Sequence, residues 1–148
     1  MIDFQTLATP AELRLANIQQ ALSVLNHKHD DRGAQWLGVF GEEFEHLSEF
    51  TNIGKQIVSF EYWELESAVF ARPVCDTEII IYNNLEEDQF NLRFSRAGFG
   101  LALSILTYAR TAVKYRYMPA LATASWLNEY SRTHPDIRSI ARLAQWPG

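Results

Sequence analysis

The sequence predicts a single α+β domain, residues 1–148, in which a four-stranded antiparallel sheet is packed by about five helices. Apolar residues recur at three- and four-residue spacing in residues 9–51 and again in residues 95–146, as in amphipathic helices. Between them, β-branched and aromatic residues dominate residues 55–95, and turn-forming residues interrupt them. The chain of 148 residues is 47% hydrophobic, which is enough for one substantial core.

Two helices are predicted in the N-terminal region. Thr9 as N-cap, Pro10 at the first helical position and Glu12 three residues after the cap form a capping box, so the first helix is expected to start there. The polar stretch NHKHDDRG ends it. A second helix is expected from near Ala34 until the sequence TNIG. Its apolar stripe consists of Trp36, Phe40, Phe44, Leu47 and Phe50.

Four strands are predicted in the middle of the chain as a meander. The stretch FEYWELESAVFARP, residues 60–73, supplies the first hairpin. EIIIYNN and QFNLRFS supply the second, joined by residues 83–88. In the fourth strand, Phe90, Leu92 and Phe94 share a face, which predicts one buried side of the sheet.

Three helices are expected to close the chain. Ser95 is the predicted N-cap of a long apolar helix, which should be the most buried one, with Ile105 and Leu106 inside. Pro119 and Pro135 each suit the first turn of a further helix, because proline costs no hydrogen bond there.

The first hairpin raises a functional question because it carries three carboxylates, Glu61, Glu64 and Glu66. A pair of carboxylates can act as general acid and base. In a strand, however, Glu61 lies on the opposite face from the other two. The chain also has no G-x-S-x-G elbow and no phosphate-binding loop. The sequence therefore predicts a structural hairpin and no enzyme.

Metal and cofactor sites are not expected either. His27, His29, Asp30 and Asp31 are ligand types that suit zinc, but imidazoles two residues apart on a helix point to different sides. The single cysteine, Cys75, excludes an intrachain disulfide and is expected to be a buried bystander. We predict no bound metal and no cofactor.

The charge of the chain is uneven. The net charge is -5, and seven glutamates face one lysine between Glu42 and Glu66. This distribution makes a basic nucleic-acid interface there improbable and a basic protein partner possible. With eighteen acids against thirteen bases the chain is also a poor mimic of a DNA duplex. No apolar run is long enough to span a membrane and no leader is evident, so a cytoplasmic protein is expected.

Three segments, WELESAVFARP, FSRAGFGLALSILTYA and LNEYSRTHPDIRSI, together resemble the ArdB/KlcA-type antirestriction proteins of plasmids, phages and genomic islands. The order and spacing of the segments carry the resemblance. The positions that match are Trp63, Leu65, Phe70, Pro73, Ser95, Gly100, Leu127, Tyr130, His134, Pro135 and Asp136. Where that family has a Gly-Gly hairpin tip, this chain has Ser67, Ala68 and Val69, and its first fifty residues do not align.

The resemblance implies a fold and a biological role without naming active-site residues. It implies a hairpin at residues 60–73 covered on both faces by helices, with its glutamates at the edges. It also implies protection of DNA from host type I restriction through contact with the restriction machinery or an associated factor. Glu86, Glu87 and Asp88, in a turn of the second hairpin, are the candidate partner contact. The alternative is an immunity protein that neutralises a basic toxin or nuclease through the acidic segment.

Overall fold

The computed structural model describes residues 13–52, 59–75, 77–82 and 91–144, and in these ranges the protein has an α+β fold with two small antiparallel sheets. The elements in chain order are β1 (Leu13–Leu15), α1 (Ile18–Lys28), α2 (Gly33–Ser48), β2 (Phe60–Glu64), β3 (Val69–Pro73), β4 (Ile79–Tyr82), β5 (Asn91–Phe94), α3 (Arg96–Lys114), α4 (Met118–Tyr130) and α5 (Ile137–Ala144). A short 3-10 turn, Ser131–Thr133, links α4 to α5.

The four predicted strands are present, but the prediction that they form one sheet is corrected in the described part of the chain. One sheet has the order β1-β2-β3, and the other pairs β4 with β5. The outer edge of β3 is occupied by side chains of α3, so β4 cannot pair there. The other edge of β4 is bonded by the chain that follows α2, where the Asn52 N–H donates to the Ile80 carbonyl (3.1 Å) and the Tyr82 N–H to that of Phe50 (2.8 Å).

The predicted start of the first helix is also corrected. Thr9, Pro10 and Glu12 lie outside the described residues, but Leu13–Leu15 is a strand that pairs antiparallel with β2, and α1 begins only at Ile18. A second capping arrangement marks this later start. The Asn17 side chain accepts from the Gln20 N–H (2.9 Å), and the Gln20 side chain accepts from the Ala16 N–H (2.6 Å).

The remaining helices begin close to where their caps predict. Ser95 caps α3 by accepting a hydrogen bond from the Gly98 N–H (3.1 Å), Pro119 lies in the first turn of α4, and α5 follows Pro135 by two residues. The stripe predicted on α2 faces the core, with Trp36, Phe40 and Leu47 buried and Phe44 and Phe50 partly buried.

Helix α3 is the centre of the fold, as predicted. Residues 97–108 are all buried, including Ile105 and Leu106. The helix packs against α2, α4, α5 and the edge of β3. Leu92 and Phe94 of β5 are buried on one face, as their alternation indicates, whereas Phe90 lies outside the described residues.

Candidate functional site

The edge of β3 and one face of α3 form a joint that unites two of the three resembling segments. The Ala71 N–H donates to the Ser104 Oγ (3.1 Å), and the Val69 N–H donates to the Tyr108 hydroxyl (2.9 Å). The same hydroxyl donates to the Val69 carbonyl (2.6 Å). Burial raises the pKa of Tyr108, so this hydroxyl keeps the proton that it donates. Two side chains one helical turn apart thus bond the strand edge in place of another strand.

Gly100 makes this joint possible because it lies one turn before Ser104 on the same face of α3. A Cβ atom placed on Gly100 would lie 2.7 Å from the Arg72 Cα and 2.9 Å from the Ala71 carbonyl carbon. These are backbone atoms that cannot rotate away, so only glycine permits this approach of helix to strand. The glycine of the family pattern therefore has a direct structural explanation here.

The start of α3 is joined to the start of α5 through Asp136, which unites the second and third segments. The Ser95 N–H and Oγ both donate to the Asp136 Oδ2 (2.7 and 2.8 Å). A carboxylate at a helix N-terminus is favoured by the helix dipole and by the unpaired N–H groups there. Gly98 leaves room for it, since a Cβ on Gly98 would lie 3.0 Å from the Asp136 Cβ.

Ser95, His134 and Asp136 include the residue types of a catalytic triad, but their arrangement serves a different purpose. In a triad the histidine lies between the serine and the carboxylate. Here the serine bonds the carboxylate directly, and the Nδ1 of the buried His134 accepts from the Asp136 N–H (2.9 Å). The arrangement orients two helix starts and leaves the Ser95 hydroxyl without a histidine base.

An open cleft of about 500 Å³ lies beside this junction. Its lining residues are Cys75, Thr77, Glu78, Ser95, Arg96 and Asp136. Cys75, expected to be buried, is half-buried, with its Sγ 3.6 Å from the Thr77 carbonyl oxygen. Asp136 already occupies the start of α3, so the positive end of that helix does not face the cleft as a vacant anion site.

Two of the three carboxylates of the first hairpin, those of Glu61 and Glu64, are held in ion pairs. Glu61 lies on the central strand β2, not at an edge as expected, and it bonds Arg72 of β3 and Arg14 of β1 (3.4 Å). Partial burial raises the pKa of the Glu61 carboxyl, but the hydrogen bond and charge of Arg72 outweigh this effect and hold the pKa below its ordinary value. A depressed pKa is the reverse of what a general acid needs.

The other two hairpin glutamates are tied to α1. The Lys28 Nζ lies 3.4 Å from the Glu64 Oε2 and donates to the Glu66 carbonyl (3.1 Å). At the hairpin turn the Leu65 N–H donates to the Ala68 carbonyl (2.7 Å), and Ala68 is fully buried. Where the family has a Gly-Gly tip, this chain therefore has a tight turn folded against the core.

Many glutamates of the acidic segment, residues 42–66, form ion pairs with lysine or arginine side chains elsewhere in the chain. On α2, Glu42 pairs with Lys114 (3.3 Å) and Glu43 with Arg110 (3.0 Å), both on α3. Together with the pairs of the hairpin, four of the seven glutamates between residues 42 and 66 have a cationic partner. The sequence could not show this pairing because the partners lie far away along the chain.

The four residues considered as zinc ligands, His27, His29, Asp30 and Asp31, do not converge on one site. His29 is buried, with its ring centroid 5.5 Å from that of Tyr108, whereas His27 is exposed beside a separate surface cavity. Among the residues that the structure describes, no group of three or more histidine, cysteine or acidic side chains could hold a metal ion. The candidate partner contact, Glu86, Glu87 and Asp88, lies outside the described residues.

Sequence reasoning missed Ser104, Tyr108 and the partnership of Ser95 with Asp136. A signal for the first two exists, because a serine and a tyrosine four residues apart in a mostly apolar helix share one face.

None of the described helices is long and apolar enough to cross a membrane. A scan against protein-family models and a search of curated proteins each found no match for this chain.

Proposed function

We propose that this protein is an antirestriction protein, which protects mobile-element or phage DNA from host type I restriction through protein contacts in the cytoplasm. Its partner would be the restriction machinery or a factor that this machinery needs. The single observation that supports the proposal is the meeting of the three resembling segments on one helix. Gly100 of α3 lies against β3, and Ser95 at the start of α3 binds Asp136 before α5.

This observation bears on the resemblance because each motif is short. A shared fold requires the three segments to contact one another, which short motifs by themselves do not specify, and here they do contact one another at α3. Here three of the matching residues occupy positions with strict demands: a helix cap, a glycine against a strand backbone, and a carboxylate at a helix start. Others are core residues, with Leu65 and Phe70 almost fully buried.

The charge distribution supports contact through an ordinary mixed polar and apolar interface. A DNA mimic needs continuous unpaired carboxylates, and here Glu42, Glu43, Glu61 and Glu64 are paired within the chain. The affinity for the protein partner should therefore change little when the salt concentration rises to about 0.5 M, although charges more than about 4 Å apart are then largely screened from one another. Complete loss of the complex in such salt would count against this mode of contact.

The test of the function is the plating efficiency of unmodified phage on cells with an active type I system, with and without this gene. A matched strain that lacks the restriction system controls for general effects on phage growth. We expect the gene to raise plating only where restriction is active. Equal restriction with and without well-expressed protein would refute the proposal for that system.

Two triple variants test the candidate contact. Neutralising Glu86, Glu87 and Asp88 to glutamine and asparagine should weaken protection if these acids bind the partner. The control neutralises Glu45, Glu49 and Glu66, which are exposed acids of the described chain. Equal protection by both triples would exclude the candidate contact while leaving the function intact.

The immunity alternative makes a different prediction for the same gene. A cationic toxin encoded next to it, and a one-to-one complex of the two products, would favour neutralisation of a toxin. Protection against phage restriction without such a neighbour favours the antirestriction role. The pairing of the acidic segment within the chain leaves fewer free carboxylates for a basic toxin than the sequence suggests.

A further inference from the structure

Helix α4 carries apolar side chains on its inner and its outer face. Its inner face packs on the core through Ala120, Ala124 and Leu127. On the outer side, Met118 is 63% exposed and Leu121 is 45% exposed. Large apolar side chains that cluster on a protein surface mark interaction sites, so the outer side of α4 is a candidate contact surface for a partner.

The outer residues form a ridge along the whole helix. Met118, Ala122, Trp126 and Tyr130 follow one another at four-residue spacing, and we call this row the α4 ridge. Met118 and Ala122 are exposed, and Trp126 and Tyr130 are half-buried with their rings stacked at a centroid distance of 5.6 Å. Methionine, tryptophan and tyrosine are the side chains enriched at protein interfaces.

We propose that the α4 ridge is a homodimer interface, in which the α4 helices of two copies pack antiparallel about a two-fold axis at Ala122. The small side chain at the centre lets the two helices approach closely. Met118 lies four residues before Ala122 and Trp126 four residues after it. Two-fold symmetry then places Met118 of each copy against Trp126 of the other, which gives sulfur-aromatic contacts at both ends.

Charge selects this antiparallel arrangement over a parallel one. Arg116 is exposed just before α4, and Glu129 is exposed in its last turn. Antiparallel packing brings Arg116 of one copy beside Glu129 of the other, whereas parallel packing would bring like charges together. Glu129 pairs with Arg132 within the chain (3.1 Å), but both side chains are largely exposed, and such a pair contributes little that a new partner would have to replace.

Sedimentation equilibrium of the full chain tests the association. We expect the mass to rise with concentration, from about 5 to about 500 µM, towards twice the 17.0 kDa of one chain. Ala122→Arg puts a charge against its own copy on the axis and should weaken the dimer at least about tenfold. Ala34→Arg makes the same change at an exposed position on α2 and should have no effect.

A charge exchange tests the register. Arg116→Glu and Glu129→Arg should each weaken self-association, and an equimolar mixture of the two variants should form a heterodimer, because each contact then again joins opposite charges. Restored association also shows that both variants fold. Three results would each overturn the proposal. The wild-type protein could stay monomeric at all concentrations, Ala122→Arg could dimerise as strongly as wild type, or the mixture of the two charge variants could associate no more strongly than either variant alone. The first result would leave the ridge to a different occupant.

Discussion

Replacing Gly100 by alanine should destabilise the protein, although alanine is the better helix former. Alanine in a helix interior gains about 1 kcal/mol over glycine. At this position the new Cβ would lie 2.7 Å from the Arg72 Cα, against an ordinary carbon-carbon contact of about 3.5–4.0 Å. The helix and β3 must therefore move apart by about 1 Å.

That separation has a cost beyond the steric contact itself. Overpacking of this kind costs about 1–3 kcal/mol. The displacement also lengthens the bond between Ala71 and Ser104, one turn further along α3, and an unpaired buried N–H costs about 1–3 kcal/mol. After subtracting the helix gain, we expect a loss of about 3 kcal/mol, within a range of about 1–5 kcal/mol.

Urea unfolding followed by circular dichroism measures this loss. Gly38→Ala is the matched control, because Gly38 lies inside α2 and a Cβ there would meet no atom within 4 Å. The control should stabilise the protein by about 0.5–1 kcal/mol. The same glycine-to-alanine change should thus lower the urea midpoint of unfolding at Gly100 and raise it at Gly38. A Gly100→Ala variant as stable as wild type would refute the close approach of α3 to β3.

Three further predictions concern buried and strained groups. Tyr108→Phe leaves the N–H and the carbonyl of Val69 without their partner, so it should lower the free energy of unfolding by about 2–4 kcal/mol in the same assay. The control, Tyr115→Phe, changes a half-buried ring and should lower it by less than about 1 kcal/mol. Burial, together with the nearby charge of Lys28, lowers the pKa of His29, so this imidazole binds a proton more readily in the unfolded chain than in the folded one. The free energy of unfolding should therefore be at its full value above a pH of about 6.5 and should fall as the pH drops below that value. His29→Leu should flatten this part of the stability-pH profile. Arg116 has a φ of 53°, in the left-handed region that favours glycine, so Arg116→Gly should raise the free energy of unfolding by about 0.5–1 kcal/mol when it is measured at low concentration, where the chain is monomeric. A loss of stability under that condition would contradict this explanation.

The local structure of this protein was largely readable from sequence because helix caps and strand alternation act within a few residues. Ser95 marked the start of α3, and the alternation around Leu92 and Phe94 marked the buried face of β5. The exception was the first helix. There two capping signals compete, and pairing with β2, about fifty residues away, holds Leu13–Leu15 as a strand.

Only the tertiary structure decided which side chains meet. The separation of the strands into two sheets depends on Ser104 and Tyr108, which occupy the edge of β3 from a helix more than thirty residues away. The acidic segment was visible in the sequence, yet the pairing of Glu42 with Lys114 joins residues that are 72 positions apart. Such partners are unspecified by local propensity, because packing of the core around α3 brings them within reach only when the chain folds.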